Sequence, residues 1–220
     1  MAAAFRSSKH NECYVFVKEK YVVCNYAPGE KKKDIIQGPM HITHGFPMLA
    51  RTVFANGIDC AFHSTDHEAF IFHGNQCAIL KYAPRPADTR LLLGPIPISA
   101  MFPCLKGTVF ENGINAAIHH LHDQVIIFHG EKIGYLNYTT KHLSWVKNLL
   151  SYFKYWDGTV FATGIVSAFN SHHKYEAYIF KGKHYARINY CPTNKHGDHF
   201  VNNSISRIQS EWPALHGILV

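Results

Sequence analysis

One phrase, written three times, limits what this chain can fold into. Val109-Phe110-Glu111-Asn112-Gly113-Ile114-Asn115-Ala116-Ala117-Ile118 returns as Val53-Phe54-Ala55-Asn56-Gly57-Ile58-Asp59-Cys60-Ala61-Phe62 and as Val160-Phe161-Ala162-Thr163-Gly164-Ile165-Val166-Ser167-Ala168-Phe169, at steps of 56 and 51 residues. Ala2-Ala3-Ala4-Phe5 carries the last four letters of the same phrase, so a fourth unit is expected at the start. A period in this range belongs to propellers, solenoids or arrays, whose units stack because none can bury its own apolar faces.

The unit has further fixed points. A second apolar run ends on Phe16, Phe72, Phe128 and Phe180, and a third closes ten residues later on Tyr26, Tyr82, Tyr138 and Tyr190. So constant an interval calls for a tight hairpin, and Gly74, Gly130 and Gly182 supply the positive φ that such a turn wants. The flanking runs, such as Glu176 to Phe180 and Tyr185 to Tyr190, are aromatic and β-branched with partial alternation and read as strands. In the first unit strands are expected near 3–7, 13–17 and 21–26. A fourth segment follows, Asp34 to Pro39 before Gly45-Phe46-Pro47 and Arg90 to Pro95 before Met101-Phe102-Pro103. In the third unit Trp145, Leu149, Leu150 and Phe153 fall at helical spacing and predict a short helix over 142–152; Ile205, Ile208 and Trp212 repeat the stripe.

Composition narrows the classes. In 220 residues there is no apolar run of 18, hence no expected membrane-spanning helix, and the start has no apolar stretch of secretory length. The six cysteines (Cys13, Cys24, Cys60, Cys77, Cys104, Cys191) form no CxxC pair and share no position in the repeat, so they are expected as reduced thiols of a cytosolic protein. Outside secretion the glycosylation acceptors at Asn137 and Asn202 mean little. The formal charge of +7 has one dense run, Lys31-Lys32-Lys33, which reads as a solvated loop; the charge favours anionic small ligands over nucleic acid. His67-Glu68 opens like a zincin motif, but Ile71 stands where its second histidine belongs. No Gly-x-Ser-x-Gly and no phosphate loop occurs, so the chain is expected to be a non-enzyme.

Four units opening on Gly-Ile-x-x-Ala-Phe, turning through an aromatic hairpin and closing before Phe-Pro or Trp-Pro resemble the hemopexin fold. Ala3-Ala4-Phe5-Arg6-Ser7-Ser8, Asn25-Tyr26-Ala27-Pro28-Gly29, Met101-Phe102-Pro103, Gly107 to Ile114 and Trp212-Pro213-Ala214-Leu215-His216-Gly217-Ile218 resemble, more closely, the legume seed albumin-2 family, over the whole chain. The resemblance implies an all-β, four-bladed β-propeller with short helices closing the blades, in one domain with blades near 2–51, 52–107, 108–158 and 159–220. It also implies a cytosolic seed protein that binds haem and a polyamine such as spermine, holds calcium in a central channel with sodium and chloride as further channel ions, and forms a homodimer. Its relatives include a lectin. By the same resemblance the calcium ligands are the backbone carbonyls of Ala2, Asp59, Asn115 and Val166, although Ala2 and Val166 stand where the family favours Asx, which weakens the field.

The residues themselves agree with a ring. Four first strands converging on an axis need small side chains, and Ala4, Ala61, Ala117 and Ala168 hold one position in all four units. Backbone groups facing a channel need partners, which a cation, an anion or water can provide. Gly217-Ile218-Leu219-Val220 is expected to pack back on the first blade. Histidine is abundant, at 17 residues. His73 and His129 share a turn position where the fourth unit has Lys181, while His119, His120, His122, His172 and His173 sit at corresponding hairpin tips and are the candidate haem ligands, since neutral imidazole binds haem iron; exposed histidines without a role are the alternative. Spermine would need carboxylates, for which Glu12, Glu68 and Glu176 are the candidates, with Gln124 breaking the set. Haem is therefore expected to bind in preference to the polyamine, with a carbohydrate-binding lectin and a seed storage protein as the competing functions.

Overall fold

The computed structural model of the chain describes residues 3–26, 34–65, 67–82, 88–190, 198–212 and 215. These form four sheets, each of four antiparallel strands in simple up-and-down order. The first holds β1 (Ala3–Arg6), β2 (Glu12–Val17), β3 (Lys20–Asn25) and β4 (Asp34–His41), and the second β5 (Cys60–Thr65), β6 (Glu68–His73), β7 (Gln76–Lys81) and β8 (Arg90–Pro97). The third holds β9 (Ala116–His119), β10 (Gln124–His129), β11 (Lys132–Asn137) and β12 (His142–Asn148), and the fourth β13 (Ser167–Asn170), β14 (Glu176–Lys181), β15 (His184–Asn189) and β16 (His199–Arg207). A one-turn helix follows each outermost strand: α1 (Ile42–Gly45), α2 (Ile98–Met101), α3 (Leu149–Tyr152) and α4 (Ile208–Glu211). The inner strands β1, β5, β9 and β13 touch in a closed cycle, so the architecture is a four-bladed propeller.

What holds the ring lies between the blades. A sheet with two apolar faces must cover both, and each gap contains a separate cluster of buried side chains. Phe5, Phe16 and Tyr21 meet Ile71, Leu80 and Tyr82 between the first and second blades. Phe62 and Phe72 meet Ile127 and Leu136 in the next gap, Ile118 and Phe128 meet Ile179 and Ile188 in the third, and Phe169, Phe180 and Tyr185 meet Val15, Val22 and Cys24 in the last. The segment leaving each blade drives two large side chains into the gap ahead: Phe46 and Leu49, Phe102 and Leu105, Phe153 and Trp156, Trp212 and Leu215.

This geometry corrects several expectations. Only Leu149–Tyr152 of the segment 142–152 is helical; His142–Asn148 is strand β12, paired with β11, and Trp145 stacks on Tyr135 at 5.2 Å. The apparent helical spacing comes from a strand running straight into a single helical turn. Ile205 likewise lies in strand β16 and is exposed, whereas Ile208 and Trp212 are buried. The recurring phrase is not one strand either: Val53–Asn56, Val109–Asn112 and Val160–Thr163 are 3-10 turns, capped by Thr52, Thr108 and Thr159, and the strand begins only after the Gly-Ile pair. The four axial alanines are buried but face sideways. Ala61 packs in the cluster of Phe5, Ala117 in that of Phe62, Ala168 in that of Ile118 and Ala4 in that of Phe169, because a sheet's side chains leave its faces while its backbone edge borders the axis. The C-terminal segment 216–220, Lys31 to Lys33, Ala2 and Cys191 lie outside the described residues.

The recurring glycine has a reason that spacing alone does not show. Gly164 has φ +103°, and a Cβ there would lie 2.3 Å from the carbonyl oxygen of Gly130, at the hairpin tip of the preceding blade. Gly57 and Gly113 face Lys18 and Gly74 at longer range, 3.2 and 3.4 Å from the Cβ position, and share with Gly164 the positive φ, at +146° and +153°.

Three substitutions test the packing by urea unfolding. Trp212→Ala, which empties the gap between the last and first blades, is expected to cost about 3–5 kcal/mol. Ala117→Leu overfills a buried position and is expected to cost about 1–3 kcal/mol. Lys132→Leu, on an exposed strand end, is expected to change stability by no more than about 0.5 kcal/mol. Equal stability for all three would contradict the inter-blade core.

Candidate functional site at the channel mouth

Two residues beyond each axial alanine the inner strands reach Arg6, His63, His119 and Asn170, one per blade, and these four line a single cavity of about 540 Å³. Sharing the alanines' parity, they also turn toward the preceding blade. Asn170 accepts from the His119 backbone N–H through Oδ1 at 2.8 Å and donates from Nδ2 to the His119 carbonyl at 2.9 Å. The His119 ring stacks on His63 with centroids 5.1 Å apart, and Arg6 Nη1 reaches the Ser171 carbonyl at 3.5 Å. The mouth is thus built from contacts that cross three blade boundaries, between the second and third, the third and fourth, and the fourth and first blades.

A second tier comes from the links between first and second strands, which bring His120, His122, Asp123, His172, His173 and Lys174 to the same cavity. Tyrosines that end the repeat hairpins fix both tiers, Tyr138 and Tyr190 holding the inner ring at His119 and Tyr26 holding His172. Tyr138 Oη bonds His119 Nε2 at 3.1 Å and donates to the Ser64 carbonyl at 3.3 Å; Tyr190 Oη donates to the His119 carbonyl at 2.7 Å. Tyr26 accepts from the His172 backbone N–H at 2.7 Å and bonds its Nδ1, while His172 Nε2 meets the Ser7 carbonyl at 3.2 Å. His120 Nδ1 bonds Tyr135 Oη at 2.8 Å.

Burial sets the protonation of the inner ring. Desolvation, reinforced by the Arg6 cation, holds the His63 imidazole well below its ordinary value and brings His119 down to about 4, so both are neutral near pH 7. Burial pushes the phenols of Tyr26 and Tyr138 up to about 12 and keeps them as O–H groups. Among the described residues Arg6 makes no ion pair. The cavity therefore offers neutral imidazoles beside fixed cations. The buried thiols lie elsewhere, and burial raises Cys24 and Cys77 to about 12, which leaves them unreactive.

Of the expected site residues, the structure brings His119, His120, His122, His172 and His173 together and adds His63 and Arg6, which pattern reading missed. Aligning the repeats two positions past the alanine would have shown the ring Arg6, His63, His119, Asn170. His73 and His129 lie at the hairpin tips of the other end, where His73 Nδ1 is 3.5 Å from Asp59 Oδ1 and His129 Nδ1 bonds the Gly113 carbonyl at 2.9 Å. At that end stand Asp59, Asn115 and Val166, just ahead of the inner strands. The Asp59 carboxylate accepts from the Gly74 N–H at 2.7 Å and the Asn115 side-chain oxygen from the Gly130 N–H at 2.9 Å. The Asp59 and Asn115 side chains are thus tied to the hairpin tips of their own blades. Among the described residues no group of three or more His, Cys, Asp or Glu side chains is arranged to hold a metal ion. The carboxylates Glu12, Glu68 and Glu176 are not gathered: each heads the second strand of its own blade, Glu176 is buried 3.6 Å from Arg187, and Gln124 accepts from Tyr135.

No family model matches the chain. It is 38% identical over 221 residues to albumin-2 of Pisum sativum, an alignment covering 99% of this chain and 95% of that protein. The chain belongs to the albumin-2 family. Among solved structures this albumin-2 chain superposes with a TM-score of 0.94 on a plant albumin from Cicer arietinum showing hemagglutination, at 41% identity and covering 100% of this chain and 98% of that one. A hemopexin fold protein from cow pea gives a TM-score of 0.94 at 41% identity, covering 99% and 97%, so the four-bladed ring is the hemopexin fold. A plant lectin with two metal binding sites, also from Cicer arietinum, gives 0.93 at 42% identity, covering 99% and 97%.

The depressed histidines make stability pH-dependent. Unfolded, His119 binds its proton near 6.5; folded, it does so only near 4. Between these values the unfolded state binds more protons, so stability is full above pH 6.5 and falls as pH drops toward 4. His119→Gln is expected to show a smaller loss of urea midpoint between pH 7 and pH 5 than the unsubstituted chain.

Proposed function

We propose that this albumin-2 protein binds haem at the channel mouth, in preference to a polyamine. The observation that carries the reading is that His119, His120, His122, His172 and His173 line one cavity with Arg6 and Lys174. Haem, when bound, supplies an iron that accepts a neutral imidazole, an apolar ring and two negative propionates. The neutral His119 imidazole suits the iron, tyrosine rings suit the macrocycle, and Arg6 and Lys174 suit the carboxylates. Spermine would need a cluster of carboxylates, and Glu12, Glu68 and Glu176 are spread over three blades, so polyamine binding is expected to be weak and sensitive to salt. A calcium ion at the opposite end would be held by the carbonyls of Asp59, Asn115 and Val166, with Ala2 completing the set; a ring of neutral donors binds such an ion weakly. We further infer a non-enzymatic protein of the seed cytosol.

Carbohydrate binding is the second reading. It is favoured by the likeness to an albumin showing hemagglutination and to a plant lectin.

Hemin titration followed by absorption separates the two. The expected result is a stoichiometric Soret shift that is lost when His120, His122 and His173 are changed together to Ala and then His119 and His172 in turn. An unaltered hemin spectrum in all these variants would remove the histidines as iron ligands. Hemagglutination inhibited by a defined glycan and indifferent to hemin would favour the lectin.

A further inference from the structure

A second cavity, of about 410 Å³, opens between the first and second blades and shares no lining residue with the channel mouth. Its apolar wall is aromatic. Tyr14, half-buried, stacks on Phe5 at 4.9 Å and stands 6.1 Å from Phe46 and 5.7 Å from Tyr82; Tyr21 closes the wall, 5.2 Å from Phe46.

The cavity exists in this blade for a reason the repeat makes visible. In the third blade the equivalent space is filled by Trp145, paired with Tyr135 across β11 and β12, and by Tyr152, the last residue of α3, with their rings stacked 5.4 Å apart. In the first blade Gln37 holds the position of Trp145, paired with Val23, and Gly45 holds that of Tyr152. The second and fourth blades have Met101 and Glu211 at that helix end. A side chain at Gly45 would have to displace the Tyr21 ring, because a Cβ would lie 1.8 Å from the Tyr21 hydroxyl, which donates to the Met40 sulfur at 3.1 Å. The Tyr21 phenol thus takes the space at Gly45, while Gln37 brings no ring in place of Trp145, and part of the aromatic surface that the third blade covers is left open.

The mouth of this space carries charge. Glu12 and Lys9 both line it, and among the described residues Glu12 makes no ion pair, unlike its counterpart Glu176 with Arg187. Electron-rich ring faces attract cations, and a carboxylate at their edge completes a seat for an ammonium group. Lys9 limits the charge the site can take: with one anion and one cation at the mouth, a ligand of single positive charge is favoured and a polycation is not. The volume lies within the range of small-molecule sites.

We propose that the cavity of the first blade binds a monocationic aromatic amine, its ring against Tyr14, Tyr21 and Phe46 and its ammonium on the Glu12 carboxylate.

Calorimetric titration with tryptamine, indole-3-acetate and spermine tests this, using the full chain and two variants. Tryptamine is expected to bind one per chain, and more tightly than either of the others. Glu12→Gln should weaken it about tenfold, the value of one charge-assisted contact. Gln37→Trp, which copies the filler of the third blade, should abolish it. Both variants should melt like the unsubstituted protein and give its hemin titration, since neither residue lines the channel mouth. No tryptamine binding at millimolar concentration, equal binding of indole-3-acetate, or unchanged binding in Gln37→Trp would each overturn the proposal. Loss of hemin binding together with tryptamine binding in Gln37→Trp would also overturn it, because the two ligands would then share one site.

Discussion

Face-to-face packing of neighbouring sheets is the constraint on which this structure rests. Each blade is apolar on both faces, so no blade has an inside of its own, and every cluster of buried residues draws on two blades and the segment that joins them. The same condition explains the size of the ring. With four blades the inner strands must come close, and only alanine fits opposite Phe5, Phe62, Ile118 and Phe169 where the gaps narrow. The connecting segments then fill the wider outer part of each gap with Phe, Trp and Leu. Small residues near the axis and large ones away from it are two aspects of one wedge.

The channel mouth follows from that packing. Once the inner strands pass their alanines, the wedge opens and polar side chains of the same parity have room. They still point across blade boundaries, which is why His119 meets His63 and Asn170 rather than residues of its own blade. Desolvation by the surrounding blades keeps these imidazoles neutral, and the nearby Arg6 adds to the effect. Chemistry that depends on neutral histidine is therefore a product of how the sheets pack.

Much of this was legible in the sequence, and the exceptions have physical causes. The repeat showed the four units, the hairpins and the aromatic that ends each third strand, because those features are local and recur at fixed intervals. Residues 142–148 were misread because helix α3 follows strand β12 without a break, so Trp145 and Leu149 mimic one helical face. The alanines were placed correctly near the axis but aimed wrongly, since their contacts are with the preceding blade and separated by about fifty residues. His63 belongs to no recurring phrase; its meaning appears only when it is aligned with Arg6, His119 and Asn170. The cavity beside Tyr14 was invisible for a different reason. It is made by what Gln37 and Gly45 are not, and an absence of bulk is read only against a blade where Trp145 and Tyr152 supply it.

One boundary completes the ring. Among the described residues the gap between the last blade and the first is closed by side-chain packing, with Trp212 and Leu215 in one cluster with Val22 and Cys24. The contacts of Arg6 with Ser171 and of Tyr26 with His172 span this same gap and at the same time build the wall of the channel mouth. Opening the ring at this seam would therefore carry Arg6 away from the rest of the cavity wall. A molecule lodged there acts as a clasp: its binding energy adds to closure, and any strain that parts the seam releases it, so occupancy and circularity are thermodynamically one equilibrium.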